Sequence, residues 1–170
     1  MKPFYCFIRL IILVAFVNTE IIAQNINTDR PDQTESSYTV GNGDFQIETG
    51  FLVGFEDSGI AETRQIAAPS NLLRYGIMEG LELRFVSQYE FLKRENLKLD
   101  GISDLQIGVK LAILNDKTKS TAVALMSHVV APSGSEGLSN EKTGTINRIL
   151  VSHDFNETLS LGYNLGYDTY

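Results

Sequence analysis

From Phe45 onward the chain alternates between two kinds of side chain with a strict period of two. The odd positions of this first stretch are Phe45, Ile47, Thr49, Phe51, Val53 and Phe55, and the even positions are Asp44, Gln46, Glu48, Gly50, Leu52 and Gly54. Successive side chains of a β-strand point to opposite faces, so the period predicts a strand with one apolar and one polar face. The sequence therefore raises the question of which solvent each face meets.

Six further segments repeat the pattern, and no helical period follows residue 23. They cover residues 72–77, 81–92, 104–113, 121–131, 145–155 and 159–168. We expect Pro69 to limit the start of the second strand, because proline has no N–H to donate to a sheet. The sequence predicts an all-β, antiparallel, up-and-down chain with seven visible strands.

The predicted connections alternate between long and short. In order they are Glu56–Arg64, Met78–Gly80, Lys93–Gly101, Asn115–Lys119, Pro132–Gly144 and Asn156–Thr158. Outer-membrane β-barrels have short periplasmic turns and long external loops, whereas Greek-key sandwiches have no reason to keep this order. Strands of about 10 residues also suit a tilted crossing of a bilayer.

A soluble barrel of the lipocalin type shows the same period with the opposite faces turned to water. Two features favour the membrane orientation. Glycines recur on the polar faces, which suits a crowded barrel interior: Gly50, Gly54, Gly108, Gly162 and Gly166. Aromatic residues stand near strand ends on the apolar faces, as interfacial girdles require: Phe45, Phe55, Tyr75, Phe91, Phe155 and Tyr167.

The N-terminus has the form of a secretory signal. Lys2 and Arg9 supply positive charge, the apolar run LIILVAFV covers residues 10–17, and cleavage is expected after Ala23. We predict a signal peptide at 1–23, a polar periplasmic leader at 24–43 and a β-barrel domain at 44–170. The only cysteine, Cys6, lies within the signal, so the exported chain would hold together without disulfides.

Composition and motifs exclude several function classes. The net charge of -7 argues against nucleic-acid binding. His128 and His153 fall on opposite faces of different strands, so no metal or cofactor is expected. The stretch PSGSEG at 132–137 lacks a phosphate-loop or G-x-S-x-G pattern and reads as a flexible external loop. We expect no enzyme, although a hydrolase that pairs His128 with a serine is an alternative.

Several stretches together resemble the putative MetA-pathway of phenol degradation family of bacterial exported proteins. They are TDRPDQTES at 28–36 with GDFQIETGF, NLLRYGIMEGLELRF at 71–85, GISDLQIGVKLAIL at 101–114, AVALMSHVVAPSG at 122–134 and LSLGYNLGY at 159–167. The resemblance implies an outer-membrane β-barrel of a Gram-negative bacterium that passes small, including aromatic, compounds. Members of that family usually continue with more strands. We therefore expect this chain, which stops at Tyr170, to be the N-terminal portion of a larger barrel.

Charged residues of the polar faces are the candidate lumen-lining residues. They are Glu48, Arg74, Glu82, Arg84, Glu90, Asp104, Lys110 and Arg148. Both signs occur on neighbouring strands, so cross-strand ion pairs are expected. These residues form either a structural ion-pair network that plugs a narrow barrel or a charged constriction that selects permeants.

The leader also has two interpretations. It is either an unstructured spacer or a segment that folds into the periplasmic mouth of the barrel. In the second case Asp29, Arg30, Asp32 and Glu35 are its candidate residues, and its carboxylates would pair with Arg74 and Arg84.

Two functions from different classes follow. The first is an outer-membrane channel or transporter for passive passage of small aromatic or hydrophobic compounds, with outer-membrane lipid and the permeant as partners. The second is a soluble exported barrel that binds an apolar ligand in its interior. A purely structural barrel in the envelope would share the fold of the first and lack conductance.

Overall fold

The computed structural model describes residues 26–29, 34–57, 59, 62–95, 97–115, 120–156 and 158–170. These residues form eight strands. They are β1 (Phe45–Asp57), β2 (Glu62–Met78), β3 (Leu81–Arg94), β4 (Leu97–Ile102), β5 (Leu105–Leu114), β6 (Thr121–Ala131), β7 (Gly144–Asn156) and β8 (Leu159–Thr169). The predicted signal peptide lies outside the described residues.

All strands belong to one antiparallel sheet that curls into a half-barrel. The order is β1-β2-β3-β5-β6-β7-β8. β4 pairs with the C-terminal part of β3, from Tyr89 to Arg94. Among the described residues no strand pairing joins β1 to β8, so these two strands form the edges. The described part of the chain also contains no helix long and apolar enough to cross a membrane. The predicted all-β, up-and-down fold is confirmed.

The expected start of the second strand is wrong, since β2 begins at Glu62 and continues through Pro69. The pairing of β2 with β1 and β3 shifts between Ala67 and Ser70. This irregularity accommodates the proline and inverts the phase, because Ala67 and Arg74 both point to the buried face. A strand prediction that assumes strict alternation therefore stops at such an inversion.

The predicted count of seven strands is also wrong, because β4 lies in the stretch expected to be the long loop Lys93–Gly101. β4 runs back alongside β3, with Arg94 opposite Leu97. Residues 103–104 separate β4 from β5 and invert the phase once more, so that even-numbered Ile102 and odd-numbered Ile107 are both exposed.

These strands shorten the first and third predicted loops, so the strict alternation of loop lengths does not hold. β1 ends at Asp57 and β2 begins at Glu62, while residues 132–143 remain a long connection. This long loop is held in place, contrary to the expectation of a flexible one. The Asp104 carboxylate accepts backbone N–H groups of Ser133 at 3.0 Å, Gly134 at 2.9 Å and Asn140 at 2.8 Å.

The two faces of the sheet are opposite in character. The outer face is apolar and exposed, with Phe51 78% and Ile107 58% accessible. All six aromatic residues expected at strand ends are exposed: Phe45, Phe55, Tyr75, Phe91, Phe155 and Tyr167. The inner face carries the most deeply buried charged side chains, Arg74, Glu82, Arg84 and Lys110, together with a small apolar patch of Ala124, Met126 and Leu150, against which Ile146 packs.

The five glycines of the polar faces differ in crowding. A Cβ at Gly108 would overlap the His128 ring, and one at Gly166 would come within 2.5 Å of Arg148 Nη1. A Cβ at Gly54 or Gly162 would make ordinary contacts, and one at Gly50 would meet nothing within 4 Å. The crowding expected from all five therefore exists at two of them.

Candidate functional site

The inner face carries a compact group of charged side chains supplied by three central strands and by β1. We call it the ion cluster; its strand residues are Glu48, Arg74, Glu82, Arg84 and Lys110. The strand register brings them together, since Arg74 lies opposite Arg84 and Glu82 lies opposite Lys110. Like charges directly opposite each other are destabilising, so the arginine pair requires carboxylates between its members.

Glu82 supplies one of these carboxylates. Arg74 donates to it from Nε at 3.0 Å and from Nη2 at 2.9 Å, and Arg84 Nη1 donates to it at 2.7 Å. Lys110 Nζ lies 3.7 Å away. Glu82, Arg74, Arg84 and Lys110 are all at most 2% exposed. Such a bidentate, desolvated arrangement fixes the arginines in one orientation.

Asp29 of the leader supplies a second carboxylate and is itself buried. Its Oδ2 accepts from Lys110 Nζ at 2.5 Å and Arg84 Nη1 at 2.6 Å, with Arg74 Nη1 at 3.6 Å. Its Oδ1 accepts from the backbone N–H and the hydroxyl of Ser36. One leader carboxylate therefore contacts all three cations of the ion cluster.

The electrostatics of Asp29 follow from these contacts. Burial raises the pKa of this carboxyl group, but the positive charges of Lys110, Arg84 and Arg74 outweigh burial. The pKa therefore lies well below its ordinary value of 3.8. Asp29 stays ionised across the physiological pH range.

The rest of the described leader lies along the inner face. Glu35 accepts from Arg84 Nη2 at 2.7 Å, the N–H of Val40 donates to Glu82 at 2.8 Å, and the Ser37 hydroxyl donates to Ser152 on β7 at 2.9 Å. The ion pairs of the leader with Arg74 and Arg84 are thus present. Arg30 and Asp32, the other two candidate leader residues, lie outside the described residues.

Backbone carbonyl groups of the leader complete the coordination of the cations. Arg74 donates to the carbonyls of Asn27 at 2.8 Å and Tyr38 at 3.0 Å. Lys110 donates to that of Ser36 at 3.0 Å. Across the described residues, every buried side-chain nitrogen and oxygen atom has a hydrogen-bond partner. The leader is therefore part of the polar network and does more than cover it.

Three candidate lumen-lining residues lie apart from the ion cluster. Glu90 accepts from Gln65, Gln88 and Ser103. Asp104 holds the long loop, as described above. Arg148 forms an ion pair with Asp168 on β8, and both side chains are about a third exposed, at 27% and 30%.

His128 belongs to the site, although sequence reasoning gave it no role there. Arg84 Nε donates to His128 Nε2 at 3.0 Å, so this ring nitrogen must carry a lone pair. The proton then sits on Nδ1, which lies 3.3 Å from Gln106 Oε1. Both ring nitrogens of His128 therefore have a hydrogen-bond partner in the site. The even parity of His128 on its strand, shared with Met126, was the available signal for its inward position.

The other chemical features of the described residues are modest. No group of three His, Cys, Asp or Glu side chains among them could hold a metal ion. A groove of about 590 Å³ lies on the apolar outer face, lined in part by Val109, Leu125 and Ile149. Its lining includes one charged residue, Arg148, and no member of the ion cluster. A polar cavity of about 310 Å³ lies between leader and sheet and is lined in part by Asn27, Gln46 and Arg74.

Comparison with known proteins gives one family. A family model described as "Putative MetA-pathway of phenol degradation" matches residues 28–170, which include the described leader residues from Thr28 onward and every strand. Searches of curated proteins and of solved structures find no match to the chain.

Proposed function

Since the chain belongs to the family described as "Putative MetA-pathway of phenol degradation", we propose that it forms an outer-membrane β-barrel channel or transporter. It would allow passive passage of small aromatic or hydrophobic compounds, with no cofactor and no covalent chemistry. The family and the half-barrel fold are compatible with the outer membrane of a Gram-negative bacterium. Outer-membrane lipid and a small permeant would then be its partners.

One observation carries the proposal: the exposed face is apolar and the buried face is charged. Phe51, Ile107 and Leu165 are each more than half exposed, whereas Glu82 and Lys110 are fully buried. A soluble protein buries its apolar side chains and rarely exposes so large a continuous apolar surface. Outer-membrane barrels have an outward apolar band and a polar interior.

The alternative, a soluble exported barrel with an apolar ligand inside, finds less support. Its interior would need an apolar lining, but ion pairs and leader carbonyl groups occupy much of the inner face. Its outer wall would need polar side chains where β5 presents Ile107, Val109 and Leu111.

Site-directed labelling tests which solvent the outer face meets. Phe51→Cys and Val109→Cys are made separately in the chain that lacks its predicted signal, and therefore lacks Cys6, and are folded into lipid vesicles. We expect both to react with a lipid-restricted thiol probe and to resist a water-soluble one. Glu136→Cys, on the exposed long loop, is the control and should show the reverse.

Conductance in planar bilayers tests the channel itself. Discrete conductance steps are expected from the purified protein. Labelling of both positions from water alone would refute the membrane orientation, while lipid labelling without conductance would leave a structural barrel.

A further inference from the structure

We propose that Arg74, Arg84 and Lys110 form a binding site for a small organic carboxylate with an apolar body, and that Asp29 of the leader occupies this site as a built-in competitor. The inference rests on the proposed function in one respect, because it names the chemical class of the permeant and assigns the control of permeant binding to the leader. Binding itself can be measured without transport.

The charge balance of the ion cluster is the first argument. Its three cations, Arg74, Arg84 and Lys110, face two strand carboxylates, Glu48 and Glu82, so the strands alone carry a net charge of +1. Counted over the buried side chains, Asp29 brings the total to zero. Glu35 of the leader also pairs with Arg84, but its side chain is 25% exposed. When the leader leaves, one buried positive charge lacks a counter-ion, and an anion is the group that restores the balance.

The geometry around Asp29 is the second argument. A single oxygen, Oδ2, receives the Arg84 guanidinium at 2.6 Å and the Lys110 ammonium at 2.5 Å. Short, charge-assisted bonds of this kind are how proteins recognise carboxylates. Arg84 is held by residues that do not belong to the leader, because Glu82 fixes it at Nη1 and His128 fixes it at Nε. It would therefore remain in place without Asp29. Lys110 keeps Glu82 at 3.7 Å as its partner on the strands and the leader carbonyl of Ser36 as a hydrogen-bond acceptor.

The surroundings indicate what the rest of the ligand should be. Met126 lies directly opposite Lys110 in the strand register, and Ala124 and Leu150 extend the apolar patch from it. An acid with an apolar body could place its carboxylate at Lys110 and its body along this patch. The polar cavity of about 310 Å³ between leader and sheet is lined in part by Arg74 and gives an approach to this cation.

Chemical complementation tests the site. Asp29→Ala removes the competing carboxylate, and the thermal unfolding midpoint of the protein in detergent micelles is followed by circular dichroism as sodium benzoate replaces sodium chloride. We expect benzoate to raise the midpoint of this variant and benzyl alcohol, which has no charge, to leave it unchanged. Wild type should bind benzoate at least about tenfold more weakly, because a tethered carboxylate competes at millimolar effective concentration.

The controls separate this result from general salt effects and from misfolding. Glu136→Ala removes an exposed carboxylate in the long loop and should respond to benzoate as wild type does. If Asp29→Ala folds poorly, its refolding yield with benzoate against benzyl alcohol is the readout, and a selective recovery supports the site. An equal response of wild type and Asp29→Ala, or no response of the variant, overturns the inference.

Conductance distinguishes the failure of this inference from that of the proposed function. Benzoate binding by Asp29→Ala without any conductance would support the site and remove the channel. Conductance by wild type without benzoate binding by the variant would support the channel and overturn the site.

Discussion

The chain uses arginine–carboxylate pairs in two regions that differ in almost everything else. In the ion cluster, Arg74 and Arg84 share Glu82 and Asp29 beneath the leader, with side chains at most 1% exposed. Near the β8 edge, Arg148 pairs with Asp168 alone, and both side chains remain accessible. The chemistry of the pair is the same, but the solvent that competes with it is present in one region and excluded from the other.

The difference teaches where charge determines structure in this protein. Removing one partner from a desolvated pair leaves an uncompensated charge that water cannot reach. At the edge, water replaces a lost partner at little cost. The ion cluster should therefore control folding and leader docking, whereas the edge pair should be dispensable.

Glu82→Gln is the change expected to have the largest effect. It keeps the shape of the side chain but leaves three buried cations with one carboxylate fewer. We expect a loss of about 3–5 kcal/mol in the free energy of unfolding. Urea unfolding in lipid vesicles, followed by far-ultraviolet circular dichroism, measures it. A loss no greater than that of Asp168→Asn would mean that burial does not set the strength of these pairs.

Val109→Lys extends the comparison to the apolar face. Val109 lies near the middle of β5 and is 40% exposed. If lipid covers this face, the lysine should lower the free energy of unfolding by about 2–4 kcal/mol. If water covers it, the same substitution should change the free energy of unfolding by no more than about 0.5 kcal/mol. The same urea titration decides between them, with Glu136→Lys on the long loop as the control.

Gly108→Ala and Gly50→Ala form a matched pair on the inner face. The added methyl group at Gly108 overlaps the His128 ring and the Ser127 carbonyl, so a loss of about 1–3 kcal/mol is expected. At Gly50 it meets nothing, and alanine should be neutral or stabilise the strand by up to about 1 kcal/mol. Equal effects in unfolding midpoints would show that the crowding at Gly108 relaxes freely.

The pH dependence of leader docking tests Asp29. Its pKa is lower in the folded protein than its unfolded value of about 3.9, so its stabilising contribution is complete above that value and is lost as pH falls further. The stability gap between wild type and Asp29→Asn should therefore stay constant from about pH 7 to 5 and narrow below about pH 4. Urea midpoints at each pH measure the gap. A gap that narrows already near pH 6 would assign the effect to another group.

Arg148→Met should have the smallest effect. Because its ion pair with Asp168 is partly solvated, we expect the free energy of unfolding to fall by about 0.2–1 kcal/mol. The loss should be smaller at high salt. Unfolding midpoints at low and high salt check this. A loss as large as that of Glu82→Gln would erase the contrast between the two regions.

Much of the candidate site follows from parity alone. Arg74, Glu82, Arg84 and Lys110 stand on even positions of clean alternating segments, and all of them point inward. The even or odd position of a residue on its strand, however, says nothing about its distance from charged residues on other strands. Glu90 and Asp104 also belong to polar faces, yet they bind a glutamine pair and a loop instead of the ion cluster.

The prediction of strands from the sequence was wrong where the alternation of apolar and polar positions shifts by one residue. Pro69 and residues 103–104 each shift the alternation by one position, so β2 appeared too short and β4 was missed. Only pairing with neighbouring strands, β1 and β3 for β2 and β3 for β4, identifies these segments as strands, because the alternation changes phase within or beside them.

The sequence by itself determined that this chain forms an antiparallel sheet with one apolar and one charged face, because a period of two is a local property of the backbone. The tertiary structure alone decided that Asp29 meets Lys110 across 81 positions of sequence and that Arg74 and Arg84 share one glutamate. Such contacts depend on strand register and on the path of the leader. The physical reason is that charge–charge energy depends on distance and on the exclusion of water, and both arise only when the sheet curls around the leader.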